Sequence, residues 1–156
     1  MRSIYLDSNI LIAYYSTDPR EAHKKKMVQR ALDVFSQARD VYLCTSVWAV
    51  TETVNALIST KKMTAEDVAE IEQRILIESF GNLRLHFLNV SPDKDYDFAR
   101  FFDDVRDGIL RYHPGVGDVI HSVIMKNNGV DFILTFDEKD DFKQIPGLTV
   151  FHPKDF

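Results

Sequence analysis

RSIYLDSNILIAYY (residues 2–15) places a short strand pattern directly before a short helix pattern. Its first half, RSIYLD, is a brief apolar run that ends at an acid and predicts a strand, and the residues from Asn9 to about Tyr15 predict a helix. The same alternation recurs along the chain. Because strands that alternate with helices form a mostly parallel sheet covered on both faces, we predict a three-layer α/β domain.

Four further segments carry the strand pattern: VYLCT (41–45), LRLHFLNV (83–90), DFILTF (131–136) and LTVF (148–151). Start and stop signals predict helices between these strands. The predicted helices run from Asp18 to about Arg39, from the cap Ser46 through Glu52, from Thr64 to Gly81, from Ser91 to about Tyr112, and from Asp118 to Asn128. We expect residues 1–156 to form one domain, because this length is typical of a single domain.

The composition is that of an ordinary soluble globular protein, with 45% hydrophobic and 28% charged residues. The net charge of −5 argues against a protein that coats nucleic acid, although an enzyme could still contact nucleic acid locally. The lone cysteine, Cys44, fits a reducing cytoplasm. The apolar runs are too short to span a bilayer, and an acid interrupts the N-terminus before a signal-peptide core can form. We therefore expect a cytoplasmic protein with no membrane partner.

Three acids each stand alone in a long segment without any other formal charge: Asp7 in residues 3–17, Glu52 in residues 41–60 and Asp118 in residues 112–125. A carboxylate in apolar surroundings is costly unless it is paired or bound to a cation, and these segments contain no lysine or arginine. Asp7 and Asp118 could each cap a helix. Glu52 lies about two turns into its predicted helix and has no such role, so the three acids together favour a shared site.

The predicted topology brings a fourth acid, Asp137, to the same place. Asp7 follows the first strand and Asp137 follows the fourth, and ligands in open α/β sheets bind outside the carboxyl ends of strands where the strand order reverses. Asp118 begins the helix before the fourth strand, and Glu52 lies on the helix after the second. We therefore predict that four acids converge on one pocket.

Such a pocket would need a cation. Two unit charges about 4 Å apart repel by roughly 4 kcal/mol at an effective dielectric constant near 20. Oxygen ligands select hard divalent ions such as Mg²⁺ or Mn²⁺ over zinc. An acid-rich Mg²⁺ site with open coordination positions suits phosphate chemistry, so a metal-dependent reaction on a phosphate ester is predicted.

Four motifs in this order, YLDSNILIAYY, TETVNAL, GDVIHSVIMKNNG and ILTFDEKDDF, resemble the PIN-domain nucleases along essentially the whole chain. The most specific are the first, an acid followed by Ser-Asn, and the last, a Thr-x-Asp with a downstream Asp-Phe. The resemblance assigns the family's catalytic and metal-binding acids to Asp7, Glu52, Asp118 and Asp137, and its small polar positions to Ser8, Asn9 and Thr135. Many relatives place a basic residue after the last acid, whereas this chain continues with acids, of which Asp140 or Asp141 could join the metal site and Asp141 could share the second ion.

The resemblance also implies a sheet in the order 3-2-1-4-5 and an endoribonuclease that depends on Mg²⁺ or Mn²⁺. Many small members are toxins of prokaryotic toxin–antitoxin pairs, of the VapC type, which an antitoxin protein inhibits and which are commonly dimeric. In the implied hydrolysis of RNA, Asp7 bridges two ions, Asp118 and Asp137 complete their ligands, and Glu52 binds through water or orients the attacking water. The products would carry a 5′-phosphate and a 3′-hydroxyl.

The sequence argues against three other functions. A catalytically silent PIN-fold module that binds RNA or protein would have no reason to keep an intact acidic quartet. A phosphatase of the haloacid dehalogenase type needs Asp-x-Asp after the first strand, where this chain has Asp7-Ser-Asn. A response-regulator receiver needs an aspartate after the third strand, where the chain reads LNVSP. A housekeeping RNA-processing nuclease stays open as an alternative to a toxin.

Four further features have two interpretations each. His121, one turn after Asp118, could approach the site, although packing between helices is the default interpretation for it. Trp48, one turn before Glu52, fits the core or a base-stacking position at the pocket rim. The basic stretch HKKK (23–26) fits a solvated helix face or a grip on the RNA backbone. The helix that contains FFDD (101–104) fits the core or a dimer surface.

Overall fold

The structure is a computed structural model that describes residues 2–77, 79–80, 82–113, 115–137 and 142–156. Asp140 and Asp141, considered above for the metal site, lie outside the described residues. Within the described ranges, no helix combines the length and the apolar character that crossing a membrane requires.

Six strands in the described residues form one sheet in the order β3-β4-β2-β1-β5-β6. Their bounds are β1 Arg2–Leu6, β2 Val41–Ser46, β3 Ser79–Phe80, β4 Leu83–Leu88, β5 Phe132–Leu134 and β6 Thr149–Phe151. All neighbouring pairs are parallel except β3 with β4. The five parallel strands confirm the predicted order 3-2-1-4-5. The two-residue β3 adds an antiparallel edge within a region that the sequence predicted to be the end of a helix.

Six α-helices connect these strands in the described residues: α1 Ser8–Tyr15, α2 Ala22–Gln37, α3 Val47–Ser59, α4 Ala65–Ile77, α5 Phe98–Tyr112 and α6 Val116–Asn127. Helix α3 begins where the sequence predicted and α1 begins one residue earlier, at Ser8, because Asp7 and Ser46 accept hydrogen bonds from the first turns of these helices. Gly129, at φ 65°, follows the end of α6, as predicted from its tolerance of the left-handed conformation.

The starts of two helices differ from prediction for local reasons. The segment after Asp18 first forms a 3₁₀ turn, Pro19–Glu21, before α2 begins. Helix α5 begins at Phe98 rather than Ser91, because the Ser91 and Asp93 side chains accept hydrogen bonds from backbone N–H groups two residues ahead and hold that segment in turns. Asp97 is the residue that caps α5.

How much of each element is buried depends on its position in the fold. Strand β1 lies between β2 and β5, and its Ile4, Tyr5 and Leu6 are all buried, as expected for a strand covered on both faces. Helix α2 buries one face through Val28, Ala31, Leu32 and Phe35, which share a helical stripe. Helix α5 is different, because none of its residues is buried.

The strand register decides where polar groups meet. Tyr5 of β1 pairs with Cys44 of β2, and Leu6 pairs with Leu134 of β5. The carboxyl ends of these three parallel strands therefore lie at one edge of the sheet. That edge therefore carries Asp7, which follows β1, and Thr135, which follows β5. Helix α3, which follows β2, begins at the same edge.

Candidate metal centre

Asp7 is a buried carboxylate, 4% exposed, at the junction of β1 and α1. Its Oδ1 accepts a hydrogen bond from the backbone N–H of Ser8 at 2.7 Å, so it caps α1. Its Oδ2 accepts hydrogen bonds from Asn9 Nδ2 at 2.7 Å and from Thr135 Oγ1 at 2.6 Å. Burial raises the pKa of Asp7, although the nearby His121 and the hydrogen bonds from Thr135 and Ser8 act in the opposite direction. Asp7 therefore caps α1, and its role as a metal ligand stays a prediction.

Asn9 and Thr135 tie the ends of β1 and β5 together. Asn9 Nδ2 lies 2.9 Å from Thr135 Oγ1, and Asn9 Oδ1 accepts a hydrogen bond from the N–H of Phe136 at 3.0 Å. Thr135 Oγ1 also accepts the backbone N–H of Asp137 at 3.0 Å. The predicted supporting residues Ser8, Asn9 and Thr135 are therefore brought into one network around Asp7.

Glu52 reaches this site from α3, and His121 reaches it from α6. His121 Nε2 lies 2.8 Å from Glu52 Oε2 and 3.5 Å from Asp7 Oδ1. The imidazole is buried, whereas the Glu52 side chain is 31% exposed. These two contacts place His121 within the acid cluster. The sequence favoured only a helix-packing role for this histidine. The available sequence signal was its position one helical turn after Asp118, in a segment without lysine or arginine.

Hydrogen bonds and nearby charges shift the pKa values of Glu52 and His121 in the direction opposite to burial. Burial acts to raise the pKa of Glu52, but hydrogen bonds from His121, Ser8 and Trp48 together with the charge of His121 lower it overall. Burial acts to lower the pKa of His121, but the hydrogen bond to Glu52 and the charges of Asp7, Glu52 and Asp118 raise it overall. Each group thus favours the charged form of the other.

Two residues lie behind the imidazole. The Tyr5 hydroxyl is 2.8 Å from His121 Nδ1 and 2.6 Å from Ser46 Oγ. The Tyr5 ring meets the imidazole edge-on, with ring centres 5.5 Å apart. Burial raises the pKa of the Tyr5 hydroxyl well above its ordinary range, with the Ser46 hydrogen bond acting against this. The phenol therefore keeps its proton and can serve as a hydrogen-bond donor.

Asp118 lies in the first turn of α6, and its charge acts on His121. The prediction that Asp118 begins this helix is wrong, because α6 begins at Val116 with Gly115 as its cap. The chain packs tightly here: a Cβ on Gly117 would lie 2.7 Å from Glu52 Oε1. Asp137 is half-buried, and its N–H bonds to Thr135, which in turn donates to Asp7.

The two carboxylates of this cluster fit a hard divalent cation. Among the described residues, Asp7, Glu52 and His121 each offer one ligand atom, and these atoms all lie within 4.8 Å of one another. Within the same residues, His121 is the only cationic group at ion-pair distance from Asp7 and Glu52. Two carboxylates share one imidazole, and carboxylate oxygens suit Mg²⁺ and Mn²⁺.

A separate cavity of about 390 Å³ lies between α5, α6 and the turn at residues 145–148. Its lining includes Asp104, Arg111, Lys126 and Asp131. Asp131 precedes β5, whereas the acid cluster follows the carboxyl ends of the strands. The cavity is therefore distinct from the candidate metal centre.

Several solved structures share this fold. The VapBC2 complex of Rickettsia felis, bound to a DNA fragment from its promoter, contains a chain 15% identical to this one, with a TM-score of 0.65, covering 96% of this chain and 98% of that chain. VapC20 of Mycobacterium tuberculosis, a toxin that cleaves the sarcin-ricin loop, is 13% identical with a TM-score of 0.58, covering 93% and 96%. A toxin–antitoxin complex from Klebsiella pneumoniae gives 16% identity and a TM-score of 0.57, covering 96% and 97%. At these identities the likeness concerns the fold.

The sequence itself carries the family assignment. No curated protein matches it. The model of the PIN domain matches residues 4–148, a span that runs from β1 almost to β6 and contains Asp7, Glu52, Asp118, His121 and Asp137. Since this match covers nearly the whole chain and agrees with the observed strand order, the chain belongs to the PIN domain family.

Proposed function

We propose that this protein is an endoribonuclease that depends on Mg²⁺ or Mn²⁺ and acts as the toxin of a toxin–antitoxin pair. The observation that carries the proposal is the acid cluster at the carboxyl edge of the sheet. Asp7 and Glu52 lie there beside a single imidazole, and hydrogen bonds from three residues hold Asp7 in place. Buried acids are costly for stability, so their presence favours a cation-binding role over a scaffold.

Asp7, Glu52, Asp118 and Asp137 would hold the ion or ions. When bound, the metal supplies Lewis-acid activation of water and stabilisation of the leaving oxygen of a phosphodiester. The chain's own residues do the positioning. Ser8, Asn9 and Thr135 orient the Asp7 carboxylate, and Thr135 also holds the backbone at Asp137.

Two groups near the acids could contact RNA. Trp48 is 36% exposed and hydrogen-bonded to Glu52, so its ring could stack on a base beside the reacting phosphate. Lys24, in the basic stretch of α2, lies 5.9 Å from the centre of the Phe136 ring, next to Asp137. A lysine there could contact the RNA backbone as a point charge.

Solved structures with a similar fold support the toxin assignment and the proposed partners. Three of the structures that share this fold are a VapBC complex, a VapC toxin and a toxin–antitoxin complex. We propose an antitoxin protein as a partner, a homodimer as the functional form and the cytoplasm as the location. The homodimer is proposed because α5 exposes two large apolar side chains, Phe98 by 78% and Phe102 by 65%. A housekeeping nuclease would share the same chemistry.

The test is cleavage of structured RNA by the purified protein in Mg²⁺, in Mn²⁺ and in excess EDTA. We expect cleavage only with metal, and products with 5′-phosphate and 3′-hydroxyl ends. Glu52→Gln should reduce the rate by on the order of 100-fold while the melting temperature stays close to wild type. Asp33→Asn, at an exposed position of α2, is the matched control. Strong cleavage that persists in EDTA, or wild-type turnover by Glu52→Gln, would contradict the proposal.

A further inference from the structure

Four side chains form a continuous line of hydrogen bonds from the cap of α3 to the carboxylate that the same helix carries. Ser46 Oγ accepts the N–H of Ala49 at 3.2 Å, and Ser46 and Tyr5 are 2.6 Å apart. Tyr5 then contacts His121 Nδ1, and His121 Nε2 contacts Glu52. The line passes through β2, β1, α6 and α3, so it couples four elements of the fold.

The chemistry of the groups sets the direction of the last contact. An ionised Glu52 carboxylate has only acceptors, so His121 Nε2 must carry the hydrogen in this bond. This is true of the imidazolium and of the neutral tautomer alike, so the contact does not depend on the charge of His121. In the neutral tautomer Nδ1 is an acceptor, and the Tyr5 hydroxyl is placed to donate to it.

We propose that His121 is a positioning residue, which holds Glu52 in place through its Nε2–H and is itself held in one orientation by Tyr5 and Ser46. The proposal rests on the proposed function, since it concerns how the metal-binding acids are held. His121 Nε2 engages Oε2 of Glu52, and hydrogen bonds from Ser8 and Trp48 also reach this carboxylate, so its remaining acceptor positions have a fixed direction toward an ion or a water molecule. Side chains that orient metal ligands typically contribute 10–100-fold to metal affinity.

Two other roles for His121 give different expectations. If His121 binds the ion directly, Nε2 must lose its hydrogen when the ion binds. If His121 is only a counter-charge for Asp7 and Glu52, removing it should tighten metal binding, because a competing positive charge is lost. The positioning role alone requires that Nε2 keeps its hydrogen and that its loss weakens metal binding.

The first test reads the hydrogen directly in the wild-type protein, with Mg²⁺ as the probe. Long-range ¹H–¹⁵N spectra of the histidine rings distinguish protonated from unprotonated ring nitrogens. Single substitutions of His23, His86, His113 and His152 assign the signals of His121 by elimination, without changing the site. We expect Nε2 of His121 to be protonated both before and after Mg²⁺ is added. An unprotonated Nε2 in either state would overturn the proposal.

The second test measures Mg²⁺ and Mn²⁺ affinity by calorimetry in three variants. In His121→Gln the side-chain amide N–H can occupy the place of Nε2–H, whereas the shorter His121→Asn cannot reach Glu52. We expect His121→Asn to weaken metal binding by roughly 10–100-fold and His121→Gln to stay within a few-fold of wild type. His86→Asn, at an exposed position of β4, is the control and should match wild type. Unchanged or tighter binding by His121→Asn would overturn the positioning role.

The outcomes separate this inference from the proposed function. One outcome would refute the ribonuclease and leave the positioning role intact. In it, His121 stays protonated when Mg²⁺ binds and His121→Asn weakens metal binding, yet the wild-type protein cleaves no RNA. A protein that cleaves RNA with metal while His121→Asn binds metal like wild type would refute the positioning role alone. If the His121 variants do not fold, the spectra of the wild-type protein still test the proposal, because an unprotonated Nε2 would overturn it.

Discussion

Asp7 combines two roles in one side chain. One oxygen caps α1 through the N–H of Ser8, and the other receives hydrogen bonds from Asn9 and Thr135. Burial nevertheless raises the pKa of Asp7, so the folded protein disfavours its ionised form. Its burial therefore carries a cost that helix capping alone does not explain, and a bound cation would offset that cost.

Asp118→Asn tests whether Asp118 is a metal ligand. Binding of Mg²⁺ stabilises the folded state by RT ln(1 + [L]/Kd), about 2.7 kcal/mol at 100 times Kd. We expect millimolar Mg²⁺ to raise the melting temperature of wild type clearly and that of Asp118→Asn much less, because the variant has lost a ligand. The exposed Asp33→Asn should shift like wild type. Equal shifts for Asp118→Asn and wild type would mean that Asp118 does not bind the ion.

Gly117→Ala tests the close approach of α6 to Glu52. The added Cβ would lie 2.7 Å from Glu52 Oε1, so the flexible carboxylate has to move. Alanine stabilises a helix by roughly 0.5–1 kcal/mol relative to glycine, so the melting temperature should hold or rise. Metal affinity and RNA cleavage should fall by about 10–100-fold.

The control for this variant is Val116→Ala, at the exposed neighbouring position of the same helix. It should leave metal affinity and cleavage unchanged. Wild-type metal affinity in Gly117→Ala would show that the position of Oε1 is not important for the site.

At the scale of elements, side-chain hydrogen bonds decided the boundaries that the sequence pattern missed. The start of α5 moved from Ser91 to Phe98 because the turns made by Ser91 and Asp93 compete with helix. The end of α3 is joined to the turn before α2 by an ion pair that no local pattern predicts. Lys61 Nζ lies 3.0 Å from Glu21 Oε1 and 3.8 Å from Asp18 Oδ2.

Lys61→Met tests the contribution of this ion pair to stability. The hydrogen bond from Lys61 is the largest cause that lowers the pKa of Glu21, with burial acting against it. A lowered pKa means that the stabilisation is present above the ordinary pKa of glutamate, about 4.3, and is lost as the pH falls through the lower folded value. We expect Lys61→Met to be less stable at pH 7, by at most about 1 kcal/mol, and the difference to shrink below pH 4.

Denaturant unfolding at a series of pH values measures this difference. Lys26→Met, at an exposed position of α2, is the control and should differ little from wild type throughout. A difference that persists undiminished at low pH would mean that Lys61 stabilises the fold through packing of its methylene chain and not through Glu21.

At the scale of the whole molecule, α5 is the α-helix that the rest of the described chain leaves uncovered. It packs against α6, yet none of its residues is buried. Phe98, Phe102 and Leu110 are each more than 60% exposed. An amphipathic helix with an exposed apolar side is a common feature of association surfaces.

Phe102→Asp tests whether this surface joins two copies of the chain. We expect wild type to be a dimer by light scattering and Phe102→Asp to be a monomer with a similar melting temperature, because the side chain is exposed in the monomer. Val34→Asp, a matched change at an exposed apolar position of α2, should leave the dimer intact. A monomeric wild type, or a dimeric Phe102→Asp, would contradict the α5 dimer.

The sequence by itself determined the fold class and the acids at the strand ends, and the family resemblance implied the strand order. The fold class and the strand ends depend on local patterns: an apolar run followed by an acid marks where a parallel strand ends, and the family motifs at Asp7 and Thr135 lie at two such ends. The joining of Ser8, Asn9 and Thr135 around Asp7 also agrees with that expectation. The roles of Asp118 and Asp137 as ligands stay predictions.

Only the tertiary structure decided the role of the groups that act across elements. His121 and Glu52 are 69 residues apart, and Tyr5 and His121 are 116 apart, so no periodicity links them. Their contact depends on how closely α6 approaches α3, which glycine at position 117 permits. A buried imidazole between two carboxylates is a property of packing distance, and packing distance is set by the whole fold and not by any segment of it.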